Sequence, residues 1–388
     1  MPVWSRFLMA HLFEPQEFAA RLLAVRREMA RRDLPLVLLS SPDNIFYLTG
    51  LDHWGYFAPH LLIVPAEGGL VLVTRAMEQV TIAAQVANAR FAGHADSETV
   101  ADVVVRELQA GRLPDRIGLE LWSSGLPAGL AHALQLGLGN VRWSDVTGLV
   151  DDIRLVKSPA EQVYLRAAAK VTDAATDAGI AAIRPGASEA EVAAACLRVM
   201  TEQGTYPGFG PFIRSTDRLG EEHTSWTGRR LDDGDAVFFE LSGCVARYHA
   251  PLGRLVHVGR VPSGTCDMAA ITQDAFDAVV GTLKDGVLAR DVYAAWQAVV
   301  DRAGLAHYRR HHCGYMVGIG MPPSWTGGNK VLGLRHDSEV VIRTGMSFHV
   351  LSWLMGTERG DYFISNTVLL GDDGPEVLTR TPTDVTIR

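Results

Sequence analysis

The stretch GDAVFFELSGCVARYHAPLGRLVHVG, residues 234–259, sets the frame for the rest of the chain. A turn leads into the apolar run AVFF, which ends in one acid, Glu240, before LSG breaks it. A second strand-like run, GRLVHVGRV, follows closely. A carboxylate flanked by VFF and LSG is partly desolvated, and desolvation raises both its pKa and its nucleophilicity. Burying an acid in an apolar strand is costly, so Glu240 is expected to carry chemistry. The competing reading is a buried acid paired with Arg247 or Arg254. Tyr248 and His249 are consecutive on one strand and so face opposite ways, one toward a pocket and one into packing. Arg254 offers a planar fork that suits a substrate carboxylate, or a strut to Glu240.

Downstream, a helical pair is expected at roughly 267–305, and GMSFHVLSW, DYFISNTVLLG and PEVLT read as further strands. His349 lies two residues before Leu351, on the same face of its strand. Upstream, Ser158, Pro159 and Glu161 form a helix start, and the helix should run to about Ile183, where RPGAS stops it. Ser188 with Glu191 matches a capping box for the next helix. Before residue 148 the pattern changes. PQEFAARLLAVRREMARR is an amphipathic helix, LPLVLLSS, HLLIVP, GLVLVT and RIGLE are short strands, and AMEQVTIAAQVAN is helical. SPDN reads as a turn, with Asn44 a turn residue.

The chain has 388 residues, 47% hydrophobic and 21% charged, enough for two cores. Its net charge of -8 argues against a nucleic-acid or anionic-membrane partner. Cys196, Cys244, Cys266 and Cys313 lack CxxC spacing, so reduced thiols in a cytoplasmic protein are expected. MPVWSRFLMAHLFEP lacks the core and cleavage site of a signal peptide. No run approaches the ~18 apolar residues of a spanning helix.

Together, RLVKSPAE, FFELSGCVARYHAPLGR, GYMVGIGMPPSW, GMSFHV, DGPEVLT and the N-terminal SPDNIFYLTG resemble the pita-bread family of aminopeptidase P, prolidase and creatinase, and within it the ectoine hydrolase branch. The resemblance covers nearly the whole chain. It implies an α+β protein: a small α/β domain over 1–148, then a pita-bread domain with a curved antiparallel sheet over 149–388. It also implies a homodimer in which an N-terminal loop, here LDHWGYF with Trp54 and Phe57, reaches the neighbour's pocket. Such aromatics can hold a cation through their ring faces.

Metallopeptidases of this family hold two divalent cations through two Asp, one His and two Glu. At the corresponding positions this chain has Glu240, Pro251, Tyr315, Leu351 and Ser365. Hard cations need several anionic oxygens, and one acid does not supply them, so no metal and no cofactor is expected. His249, His311 and His312 are read as pocket lining or solvated residues rather than as ligands. The metal-free creatinase and ectoine hydrolase members cleave C–N bonds of small zwitterionic substrates. By that resemblance Glu240 is the nucleophile or base and His223 the acid–base group. Tyr315, His349, Tyr248, His249, Arg254 and Asn366 are expected to bind substrate, with Trp325 as a lid.

Three pocket-type positions depart from the ectoine hydrolase pattern: Ala250 replaces Cys, ISNT with Asn366 replaces a Glu-bearing strand, and WTGGN replaces Gly-Glu after the tryptophan. A lost pocket charge changes which charged substrate fits. The expected activity is metal-independent hydrolysis of a C–N bond in a small amino-acid derivative. An Xaa-Pro metallopeptidase and a non-catalytic metabolite-binding protein are the alternatives.

Overall fold

The computed structural model describes residues 12–328 and 330–388. Most of MPVWSRFLMAHLFEP, and Asn329 of WTGGN, lie outside the described residues. The chain is a mixed helix and strand protein of two compact units that divide between Arg154 and Leu155, slightly after the expected 148/149 boundary. The shift arises because the short helix α6 (Leu149–Arg154) packs with the N-terminal helices.

The first unit is built on a six-stranded mixed sheet. Its strands are β1 (Leu36–Leu39), β2 (Leu61–Pro65), β3 (Leu70–Arg75), β4 (Ala89–His94), β5 (Arg116–Leu119) and β6 (Arg142–Asp145), ordered β4-β3-β2-β1-β5-β6. Helices α4 (Val100–Gln109) and α5 (Ala128–Leu138) bury Val103, Val104, Leu130 and Leu134 against Leu38, Ile63 and Ile117. Helix α1 (Pro15–Arg31) and the short α3 (Gln79–Gln85) complete the unit with α2 (Pro42–Thr49). The structure corrects one reading here: SPDN opens helix α2 rather than a turn, because Ser41 stands at the N-cap and Pro42 at the first position. Asn44 is therefore buried, and its side-chain amide donates to Glu120, a carboxylate that also accepts the Ser40 and Ser41 N–H groups.

The second unit opens with α7 (Pro159–Ala182) and α8 (Glu189–Gln203). The expected capping box of Ser188 with Glu191 forms, and the helix start at Ser158 closes into a second one with Glu161. After β7 (Phe212–Ser215) and β8 (Ala236–Leu241), a small hairpin of β9 (Cys244–Val245) and β10 (Tyr248–His249) leads to β11 (Leu252–His257). The helical pair is α9 (Thr265–Thr282) and α10 (Ala289–Arg302). Strands β12 (Gly314–Met316), β13 (Ser347–Leu354), β14 (Tyr362–Gly371), β15 (Gly374–Val377) and β16 (Thr386–Ile387) close the chain.

The main sheet runs β12-β13-β14-β11-β8-β7, antiparallel along that path, with β15 antiparallel on β14 and β16 parallel on β11. Alternation along each strand divides it into two faces. Val237, Phe239, Leu241 and Val256 pack under α7 and α8 with Val192, Cys196 and Met200. Phe348, Val350, Ile364 and Val368, of the same parity by register, pack with Ala275, Phe276 and Trp296 of α9 and α10. All four helices thus cover one face, which leaves the other for the site. No helix among the described residues is long and apolar enough to cross a membrane.

Candidate active site

Residues paired directly across an antiparallel ladder share a face. The register of β7, β8, β11, β14 and β13 aligns Phe212, Glu240, Gly253, Ser365 and Leu351 in one rung. The adjacent rung carries Thr367, His349 and Tyr315. Both rungs lie on the face opposite the helices. Gly253, between Glu240 and Ser365, has a packing requirement: a Cβ there would come within 2.5 Å of the Phe363 ring and 2.9 Å of Ser365 Oγ.

Glu240 follows the expectation of a desolvated acid. Its Oε1 is buried and has no hydrogen-bond partner, while 12% of its side-chain surface remains exposed. Burial pushes its carboxyl up to about 8, Glu222 pushes the same way, and Arg214 opposes both. His349 Nε2 stands 3.6 Å from Glu240 Oε1, too long for a hydrogen bond but within one small displacement of it. The same Nε2 lies 2.7 Å from Ser365 Oγ, and Nδ1 lies 2.8 Å from Tyr315 Oη. Trp325 Nε1 donates to that Oη at 3.0 Å. One proton order satisfies the chain: indole N–H to phenol oxygen, phenol O–H to Nδ1, and the imidazole proton on Nε2, facing Ser365 and Glu240. Burial holds His349 neutral, well below its ordinary pKa, and pushes Tyr315 well above its own.

An aromatic wall adjoins the acid. Phe209 lies 4.8 Å from Phe212 and 4.1 Å from Trp325 between ring centroids, and Phe212 meets Trp325 edge-on at 5.7 Å. His223 sits exposed on a turn, its ring edge-on to Phe212 at 6.0 Å. The structure brings His223 to this wall, but the imidazole within ion-pair range of Glu240 is that of His349. His312 stacks edge-on against Tyr315 at 5.5 Å, and His311 is exposed behind it.

Four expected substrate contacts are corrected. Arg254 pairs with Phe239 and so lies on the helix-covered face. Its guanidinium donates to the carbonyls of Gly253, Ser365, Thr381 and Pro382 and to Asn366 Oδ1. It is neither a carboxylate anchor nor a strut to Glu240. Asn366, paired with Val350 on that same face, is occupied by Arg254 and Thr379. Tyr248 is buried, stacks on Tyr164 and donates to Glu161 Oε1 at 2.7 Å. His249 is buried too, its Nε2 accepting from the Gly208 N–H and its Nδ1 donating to the Arg247 carbonyl. It pins the segment that carries Phe209. Trp54 and Phe57, in the first unit, are 65% and 78% exposed.

Two residues on the site face escape a reading of the sequence alone: Phe212 and Arg214, both on β7. Arg214 is buried at 2% exposure with its guanidinium over the Phe238 ring at 4.4 Å. The available signal is an arginine alternating with an aromatic in the short apolar run PFIRS.

The family's five ligand positions fall on or beside the two rungs. They offer the Glu240 carboxylate, the Tyr315 phenol, the Ser365 hydroxyl, Leu351 with no donor, and Pro251, whose carbonyl accepts from Thr367 Oγ1. Among the described residues no group of three or more His, Cys, Asp or Glu converges to hold an ion. This donor set does not fit a pair of hard cations, which require converging anionic oxygens.

Residues 163–372 match the family model for metallopeptidase family M24, and residues 21–156 match the creatinase/prolidase N-terminal domain. The ectoine hydrolase of Halomonas elongata is 27% identical over 97% of this chain and 98% of its own length. The Xaa-Pro dipeptidase of Pyrococcus horikoshii is 24% identical over 91% and 95%. Among solved structures, an Xaa-Pro dipeptidase from Bacillus anthracis superposes with a TM-score of 0.83 at 21% identity, covering 96% of this chain and all of that one.

Proposed function

The chain belongs to metallopeptidase family M24 and is a hydrolase of that family, and from this premise we propose that it cleaves a C–N bond without a metal. The substrate is a small amino-acid derivative whose scissile carbon belongs to an amidine or amide. The supporting observation is the pairing of one buried, hydrogen-bond-deficient carboxylate with a neutral His349 at 3.6 Å, where four of five ligand positions lack a carboxylate or imidazole.

In the free protein burial keeps Glu240 largely protonated below about pH 8. A cation seated against Phe209, Phe212 and Trp325 gains ring-face attraction and shifts the adjacent carboxyl toward its ionised form. The carboxylate then attacks the electrophilic carbon, or takes a proton from a water that does so. In the water route the carboxyl so formed passes that proton to the leaving nitrogen as the C–N bond breaks. In the covalent route the nitrogen takes its proton from a water, whose hydroxide then hydrolyses the Glu240 intermediate. In both, His349 keeps its Nε2 proton and donates a hydrogen bond at the reacting atoms. Tyr315 and Trp325 hold the imidazole in the required tautomer, as an orienting group does in a catalytic triad.

The expected cytoplasmic homodimer, with Trp54 and Phe57 at the subunit contact, belongs to this proposal. The test is hydrolysis by EDTA-dialysed protein of ectoine, creatine, N-acetyl-diaminobutyrate and Xaa-Pro dipeptides, with and without Mn²⁺. Cleavage of a non-peptide substrate indifferent to metal supports the reading. Xaa-Pro cleavage that appears only with Mn²⁺ replaces it with the dipeptidase activity named for several relatives.

A further inference from the structure

On the site face, Arg214 has no substrate role assigned to it, and its environment is that of a ligand-binding group. Its Nε and Nη1 are buried without a hydrogen-bond partner. An unpaired guanidinium costs far more to bury than a paired one, so a missing partner calls for a physical reason. Arg214 is one alternation along β7 from Phe212, and Phe212 is opposite Glu240. Two residues of strand span roughly 7 Å, about the length of a small amino acid.

The charged groups around it are few. Phe238 supplies a ring face under the guanidinium. Glu222 Oε2 stands 3.8 Å from Nη1, beyond hydrogen-bond range, on a side chain 55% exposed. Arg218, Glu221 and Glu240 act on it only through space. An exposed carboxylate at that distance is a weak counter-ion, easily displaced by a better-placed one.

We propose that Arg214 is the anchor for the carboxylate of a zwitterionic substrate, displacing Glu222, while the cationic end lies on the Phe209–Phe212–Trp325 wall beside Glu240. This assignment rests on the reading of the site as a C–N hydrolase of small amino-acid derivatives. It replaces the fork first expected of Arg254, whose donors are spent on backbone carbonyls. It also fixes polarity: the carboxylate points along β7, and the scissile bond faces Glu240 and His349.

Calorimetry tests it with two probes that share an amidinium ring, ectoine and its descarboxy analogue 2-methyl-1,4,5,6-tetrahydropyrimidine. The proteins are Glu240→Gln, which binds without turnover, and the same protein carrying Arg214→Met. With Arg214 present, ectoine should bind about 10- to 100-fold tighter than the analogue, the range of one charge-assisted pair. Without Arg214 the two should differ by less than about threefold. Persistence of the preference overturns the anchor. If Arg214→Met does not fold, Arg214→Lys decides, since an ammonium keeps the charge but loses the fork: a reduced ratio supports the anchor and an unchanged ratio overturns it. If neither ring binds, the amidine reading of the substrate fails, and acetate alone tests the anchor. Acetate should then raise the melting temperature of the Arg214 protein and not of the variant; equal effects on both overturn it.

Discussion

Glu240 combines two properties that the same burial produces. Its carboxyl is raised from an ordinary 4.5 to about 8. The folded state therefore binds a proton that the unfolded chain has released across that interval, so its contribution to stability is present at low pH and lost as pH climbs toward 8. Glu240→Gln removes the titration. Its stability relative to wild type should rise between pH 5 and pH 8, by on the order of 4 kcal/mol if the whole shift is realised. Urea unfolding at the two pH values reads this directly, and a constant difference contradicts it. The same substitution should lower kcat by about a thousandfold or more, as loss of a nucleophile or base does. Arg254 gives the contrasting residue. Arg254→Met leaves several buried carbonyls without a donor, so it should cost about 3 kcal/mol or more in stability. In protein that still folds, KM should be little changed, and a large KM effect at preserved stability would return Arg254 to the substrate.

At the scale of elements, local signals and register differ sharply in what they reveal. Helix α7 was readable because Ser158 and Glu161 satisfy each other's backbone N–H groups, a device written within four residues. Ser158→Ala should cost about 1 kcal/mol in thermal unfolding. The start of α2 reads as a turn because Ser, Pro, Asp and Asn serve turns and helix starts alike. The alignment of one strand against the next could not be read at all. Glu240 meets Gly253 and not Arg254 because of how β8 and β11 align, and no sequence pattern in either strand specifies that offset. One residue of slip would turn Arg254 toward Glu240. The Trp325–Tyr315–His349 chain likewise joins β12, β13 and the Pro-rich loop by pairing alone. Tyr315→Phe removes the phenol that fixes the imidazole tautomer. It should lower kcat about 10- to 100-fold with KM nearly unchanged; an effect confined to KM would make Tyr315 a binding group only.

Across the whole molecule, the fold remains that of prolidases while the centre has changed. The long strings around 234–259 and 314–325 were sufficient to identify the two-domain architecture. The acid in an apolar strand was sufficient to single out Glu240. The arginine, the wall of Phe209 and Phe212, and the choice of His349 over His223 required residues from β7, β8 and β13 to be brought together in space. The ligand positions, Glu240, Pro251, Tyr315, Leu351 and Ser365, supply one carboxyl between them where a dinuclear centre needs several. Light scattering should return twice the 42.1 kDa chain mass, and a monomer contradicts the homodimer. The most direct test of metal-free C–N hydrolysis is to quantify bound Mn, Co, Zn and Fe in purified protein and, on the same sample, the rate of non-peptide C–N cleavage before and after EDTA dialysis. Metal-free catalysis predicts far less than one ion per chain and an unchanged rate. Two ions per chain, with activity lost to the chelator and restored by Mn²⁺, would contradict it.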